Sequence, residues 1–94
     1  EYLASNMDTS IDILKLLAKD EYFSVRSKVA SNLNTTKEIL ELLAKDESYF
    51  IRYEVAQNPN INLETLELLT KDKDDFVKKM AKISFNKLKK NNLI

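Results

Sequence analysis

The sequence predicts an all-α chain, a right-handed α-α superhelix (solenoid) of helical hairpins. Three observations predict it: composition, a gapless internal repeat, and apolar residues at helical spacing. The 94 residues include no glycine and one proline, so the usual helix breakers are nearly missing. Leu, Lys, Glu and Ala, all good helix formers, are abundant. Residues 4–29, 30–55 and 56–81 align without gaps at a spacing of 26. The first two segments share 14 of 26 positions. The third stays in phase through Asn6/Asn32/Asn58, Leu17/Leu43/Leu69, Asp20/Asp46/Asp72 and Val25/Ile51/Val77. One such unit cannot bury its apolar face alone, so neighbours must stack.

Each segment has room for two helices. In the second, Thr35 and Glu38 stand at capping-box spacing, which predicts that the Thr35 hydroxyl accepts from the Glu38 N–H. Thr9 and Asp12 repeat the idea in the first segment. In the third, either Asn60 or Asn62 takes the capping place. Ile39, Leu40, Leu42 and Leu43 then form a broad apolar stripe that ends at a polar corner around Lys45-Asp46. Ile51, Val55 and Ala56 give the second helix its buried face. Asn58 is expected to close that helix in the left-handed conformation, which Asn tolerates, with Pro59 marking the exit.

The ends differ. Leu3-Ala4-Ser5-Asn6 aligns with Val29-Ala30-Ser31-Asn32, so the sequence opens inside a second helix, and a longer parent with at least one more unit upstream is expected. From Phe76 to Lys90 a single helical pattern runs on, with Val77, Met80, Ala81, Ser84 and Leu88 on one face. Residues 82–94 read as a cap whose polar outer face keeps a terminal unit soluble, and its lysines offset the helix dipole. Residues 1–94 thus form one domain.

The segments NMDT, NLNT and NPNI before the first helix, LLAKDE after it, then SVRSKVASN and FIRYEVAQN, resemble the leucine-rich repeat variant family. Its motif pairs an Asn-Pro-Asn-Thr-Pro-like start with Leu-Ala-x-Asp and Val-Arg-x-x-Val-Ala-x-Asn. The resemblance spans about residues 3–81 and implies a right-handed superhelix akin in style to HEAT and armadillo arrays. The present repeat is longer than the family's and keeps only one of its prolines, which leaves room for a full second α-helix, closer to HEAT geometry. Some members carry a cysteine-bound iron–sulfur cluster outside the repeats. This sequence has no cysteine, so that feature does not carry over.

The missing residues also bear on chemistry. Without Cys there is no disulfide, thiolate metal site or cysteine nucleophile. Without His the commonest metal ligand and general base are gone. Without Gly there is no phosphate loop or dinucleotide turn. Asp72-Lys73-Asp74-Asp75 lacks the turn glycine and closing Glu of a calcium loop. HEAT-like folds can house DNA glycosylases, but the absence of His, Cys and Trp and the small number of units argue against an enzyme. No catalytic, cofactor or metal site is assigned. No apolar run approaches the roughly 20 residues of a membrane span, and a cytoplasmic protein is expected.

Net charge is zero but unevenly spread: residues 76–94 carry +6 and residues 1–75 carry −6. Arg26, Arg52 and Lys78 share one repeat position, which predicts a cationic ladder. It would serve either as a stripe for a partner or as pairing for the repeated acids Asp20, Asp46 and Asp72. Tyr22, Phe23, Tyr49, Phe50 and Tyr53 lie where the units differ most. Phe50 and Phe76 align and are expected to contribute to the core. Tyr53 aligns with Ser27 and Lys79 and is expected at the surface. The leading expectation is a non-catalytic protein-interaction scaffold that meets its partner through Arg26, Arg52, Tyr53 and Lys78. The alternative is a nucleic-acid-binding module using Lys82, Lys87, Lys89 and Lys90.

Overall fold

The computed structural model describes residues 10–92. It is all-helical, with six helices and no strand among the described residues: α1 (Ile11–Leu17), α2 (Phe23–Ser31), α3 (Lys37–Leu43), α4 (Tyr49–Gln57), α5 (Leu63–Leu69) and α6 (Asp75–Asn92). Asn6, the Thr9 cap and the expected opening helix fall outside the described residues.

The short helices α1, α3 and α5 start at caps 26 residues apart. Ser10, Thr36 and Asn62 accept from the backbone N–H of Ile13, Ile39 and Thr65 at 3.3, 3.4 and 2.9 Å. Asn62, not Asn60, is therefore the third cap. The second cap is Thr36 rather than Thr35, a correction of one residue. Thr35 is fully buried, and its hydroxyl donates to the Val29 carbonyl at 2.7 Å. It ties α2 to the loop that follows, and Ile61 fills the equivalent place in the next segment.

Each short helix ends in an αR residue, Ala18, Ala44 or Thr70. Two residues further on, an aspartate makes the corner. The carboxylates of Asp20, Asp46 and Asp72 accept the N–H of Tyr22, Ser48 and Asp74 at 2.8, 2.9 and 2.9 Å. Such Asx turns redirect the chain without glycine. They launch α2, α4 and α6.

The described residues contain no positive φ, which corrects the expectation of a left-handed Asn58. Its backbone is extended (φ −71°, ψ 126°), and its side chain does a different job. The amide nitrogen donates to the carbonyls of Ala30 and Asn32 at 2.8 and 3.1 Å, and its oxygen accepts from the Asn60 N–H at 2.9 Å. Asn60 donates in turn to the carbonyls of Leu33 and Thr35. Both asparagines thus tie the third segment to backbone carbonyls at the end of α2 and in the loop after it.

The helices α2, α4 and α6 stack directly on one another, and α5 packs along α6. Leu14, Leu40 and Leu66, equivalent by 26, are all fully buried, as are Val29, Val55 and Ala81. Ile51 and Val77 complete this row. Each large apolar side chain so buried contributes roughly 1.5–3 kcal/mol. Leu42 does not join the expected core stripe: it is exposed, as are the equivalent Leu16 and Leu68. On a helical wheel Leu42 lies well off the direction shared by Ile39, Leu40 and Leu43.

Candidate interaction surface

Arg26 and Arg52 form two equivalent clamps. Arg26 Nε and Nη2 reach the two oxygens of Asp46 at 2.7 and 3.3 Å, while Nη1 donates to the carbonyls of Asp20 and Glu21. Arg52 repeats the arrangement on Asp72 at 2.9 and 3.2 Å, with Nη1 on the Asp46 carbonyl at 2.7 Å. Each guanidinium therefore joins the corner of its own segment to the corner of the next. The planar fork of arginine suits this two-oxygen geometry.

Both clamps are sheltered, with side-chain exposures of 13% and 8% in the first and 8% and 9% in the second. Burial pushes the Asp72 carboxyl upward, but hydrogen bonds from Arg52 and the Asp74 N–H and the nearby positive charge outweigh it. Its pKa ends below the ordinary carboxylate value. Hydrogen bonding to Asp46 likewise raises the Arg26 pKa. Lys78, at the third position, behaves differently. Its ammonium lies 3.7 Å from Asp75 on its own helix, at the surface.

Tyr53 is half-buried and packs against the core. Its ring stacks on Phe50, with centroids 6.3 Å apart and planes 18° from parallel. Phe50 also meets Phe23 on α2 at 5.8 Å. The expectation that Phe50 and Phe76 belong to the core is corrected: they are 40% and 68% exposed. Tyr49 and Phe23 stand out by 52% and 45%. The core row on these helices is set by Ile51, Val55 and Val77, so residue 50 or 76, one place before, points sideways. The result is an aromatic stripe across α2, α4 and α6, with an open cup of about 230 Å³ lined by Tyr49, Phe50, Tyr53 and Phe76.

On α6, Lys82, Lys87, Lys89 and Lys90 are all exposed. Lys89 lies over the Phe85 ring, 5.4 Å from its centroid. Val77 and Ala81 are fully buried, and Met80, Ser84 and Leu88 are half-buried, so Lys82, Lys89 and Lys90 face away from the core while Lys87 lies beside Met80, Ser84 and Leu88 along one groove.

Glu54 lies on the α2–α4 contact and accepts from the Ser27 hydroxyl at 2.6 Å. Burial raises its pKa, partly offset by that hydrogen bond and by Lys28. Among the described residues no group of three His, Cys, Asp or Glu side chains could hold a metal ion, and no helix is long and apolar enough to cross a membrane. The chain matches no family model, no curated protein and no solved structure.

Proposed function

We propose that the chain is a non-catalytic protein-interaction scaffold: a short right-handed α-solenoid of leucine-rich-repeat-variant or HEAT-like hairpins. Its units are residues 4–29, 30–55 and 56–81, with 82–94 as the cap. Hydrogen bonding that recurs every 26 residues supports the array: helix caps at Ser10, Thr36 and Asn62, and corners at Asp20, Asp46 and Asp72. Solenoids present extended surfaces rather than enclosed sites.

The aromatic stripe carries the proposal for a binding role. Exposed aromatic rings grouped across three helices form an apolar patch of the kind that marks interaction sites, and tyrosine is enriched among residues that dominate interface energy. Of the residues expected from the sequence, Tyr53 lies in this stripe. Arg26 and Arg52 sit beneath the surface in their clamps, so their part in recognition is to hold the stacked helices in place. Lys78 remains available at the edge.

The test is affinity capture from cell extract with wild type and with the Y49A/F76A double variant, its fold checked by circular dichroism. Proteins retained by wild type and lost by the variant are expected. Identical retention by both would overturn the assignment of this surface.

A second reading is favoured by one observation: Lys82, Lys87, Lys89 and Lys90 are exposed on one helix and form no ion pair among the described residues. A nucleic-acid backbone would be attracted there, with affinity falling steeply as salt rises. Titration of a labelled duplex and an RNA strand at about 50 and 200 mM salt tests it. Binding that a K87Q/K89Q/K90Q variant loses would move the function to this helix.

A further inference from the structure

We propose that the groove between the α4–α5 loop and α6 receives an Asn-x-Asn turn of a partner protein, held by side-chain amides on backbone carbonyls. The site is separate from the aromatic stripe and shares no residue with its cup.

Such a turn is seated in the equivalent place one segment earlier. There Asn58 donates to the carbonyls of Ala30 and Asn32 at 2.8 and 3.1 Å, and Asn60 to those of Leu33 and Thr35 at 2.7 and 2.9 Å. At the repeat spacing of 26, these four receivers become Ala56, Asn58, Pro59 and Ile61. The two receiving loops have the same shape. Asn32 and Asn58 are both extended, at φ −73°, ψ 130° and φ −71°, ψ 126°. Each carbonyl accepts the N–H three residues ahead, from Thr35 at 3.1 Å and from Ile61 at 3.2 Å. Each side-chain oxygen accepts the N–H two residues ahead, from Asn34 at 2.7 Å and from Asn60 at 2.9 Å.

What differs is the donor. The positions equivalent to Asn58 and Asn60 are Ser84 and Asn86, and both lie inside α6, which runs on to Asn92. No donor among the described residues reaches the carbonyls of Ala56, Pro59 or Ile61. Ala56 is fully buried, and a buried carbonyl gains from a ligand that brings it an N–H. All four receivers line one groove of about 330 Å³. Its other wall is α6, where Met80 and Leu88 are apolar and Ser84 and Lys87 polar. The occupant must carry N–H groups on two side chains placed one residue apart. Asparagine supplies them, whereas ionised aspartate only accepts.

The experiment titrates the peptide acetyl-Gln-Asn-Pro-Asn-Ile-Asn-amide, the sequence of residues 57–62, into isotope-labelled protein and follows the backbone amides by NMR. One control peptide replaces its first two asparagines by alanine, and a second replaces them by aspartate. Saturable shifts are expected in the α4–α5 loop and between Ser84 and Asn91. Either control should bind at least about tenfold more weakly, because each amide lost removes two hydrogen bonds and each net bond is worth about fivefold in affinity. S84F, which places a ring in the groove wall, should weaken binding by about tenfold or more; if it folds poorly, N91W serves. Equal affinity for the alanine peptide would overturn the proposal, and so would equal affinity for the aspartate peptide, which would mean attraction to Lys87 alone. Shifts confined to other surfaces, unchanged binding to a folded variant, or no binding would each do the same. Shifts of the groove amides on concentrating the protein, with no response to the peptide, would put a second copy of this chain there instead and overturn it as well.

Discussion

Replacing Arg52 by Ala removes four things at once: two hydrogen bonds to Asp72, one to the Asp46 carbonyl, and the only cation paired with Asp72 among the described residues. The pair is close to fully sheltered, at 8% and 9% side-chain exposure, so water replaces little of what is lost. Breaking a buried pair by removing one partner costs about 3–5 kcal/mol, because the other charge stays behind uncompensated. Some residual access of Asp72 to water places R52A near the lower end, about 3 kcal/mol. For a domain of this size that is a large share of total stability. K78A is the internal control: a surface pair at 3.7 Å should change stability by no more than about 1 kcal/mol.

Urea unfolding followed by circular dichroism at pH 7 measures both. The pH dependence gives a second, independent reading. The folded-state pKa of Asp72 lies below its ordinary value. Its stabilisation is therefore complete above the unfolded pKa of about 3.9 and is lost as pH falls through the folded value. The gap between wild type and R52A should narrow below about pH 4. An R52M/D72L variant should lose less than R52A, since apolar residues leave no buried charge. If R52A stayed within about 0.5 kcal/mol of wild type, the clamp would be a surface feature and the reasoning from burial would be wrong.

Other positions give sharper local tests. N58A removes the side-chain donor to the Ala30 carbonyl and one of the two donors to the Asn32 carbonyl, which keeps the Thr35 N–H, and also the acceptor of the Asn60 N–H. It should cost about 2 kcal/mol by urea unfolding, within the usual 1–3 for buried unsatisfied groups. L40A empties a fully buried site at the centre of the core and should cost about 2–5 kcal/mol. E54Q keeps an acceptor for the Ser27 hydroxyl but removes a charge that burial disfavours. Because the folded pKa of Glu54 is raised, its ionisation opposes folding above the unfolded pKa. E54Q should therefore be more stable than wild type at pH 7, and that part of the gain should vanish below about pH 4.

The helix pairs were legible because three phase-locked segments repeat the same apolar positions, and Leu14, Leu40 and Leu66 all reach the interior. The long α6 was legible for the same reason, from Val77, Met80, Ala81 and Leu88. What misled was chemistry that two neighbouring residues share. Thr35 and Thr36 can both cap, and only tertiary packing tells that Thr35 is drawn inward to the Val29 carbonyl. Asn58 has the residue type for a left-handed helix end, yet its amide reaches a carbonyl 28 positions back, a contact that no local pattern encodes. Phe50 and Phe76 align and are aromatic, which suggested the core. Their place beside Ile51 and Val77, already committed to the interior, was the signal that turned them outward.

The two kinds of position along the repeat have different physical tasks, and the clamps show why. A contact that joins one segment to the next must recur with the segment, so Arg and Asp are kept together at positions 26/46 and 52/72. At the third position Lys78 meets an acid on its own helix, and an ammonium has no planar fork for a two-oxygen contact. Other positions vary in residue type: Ser27, Tyr53 and Lys79 replace one another, as do Ser24, Phe50 and Phe76, although Ser27 and Phe50 touch the neighbouring helix. The clamps can hold the helices at fixed separation while these positions vary, so the spacing of the stripe belongs to the fold and its aromatic content to the sequence. A partner that reads both should respond to either change. Loosening the register through R52A should weaken binding to the stripe even though Arg52 lies beneath it, whereas K78A should leave binding intact. Affinity capture with the two variants under conditions where both remain folded measures this coupling, and equal retention by R52A and wild type would refute it.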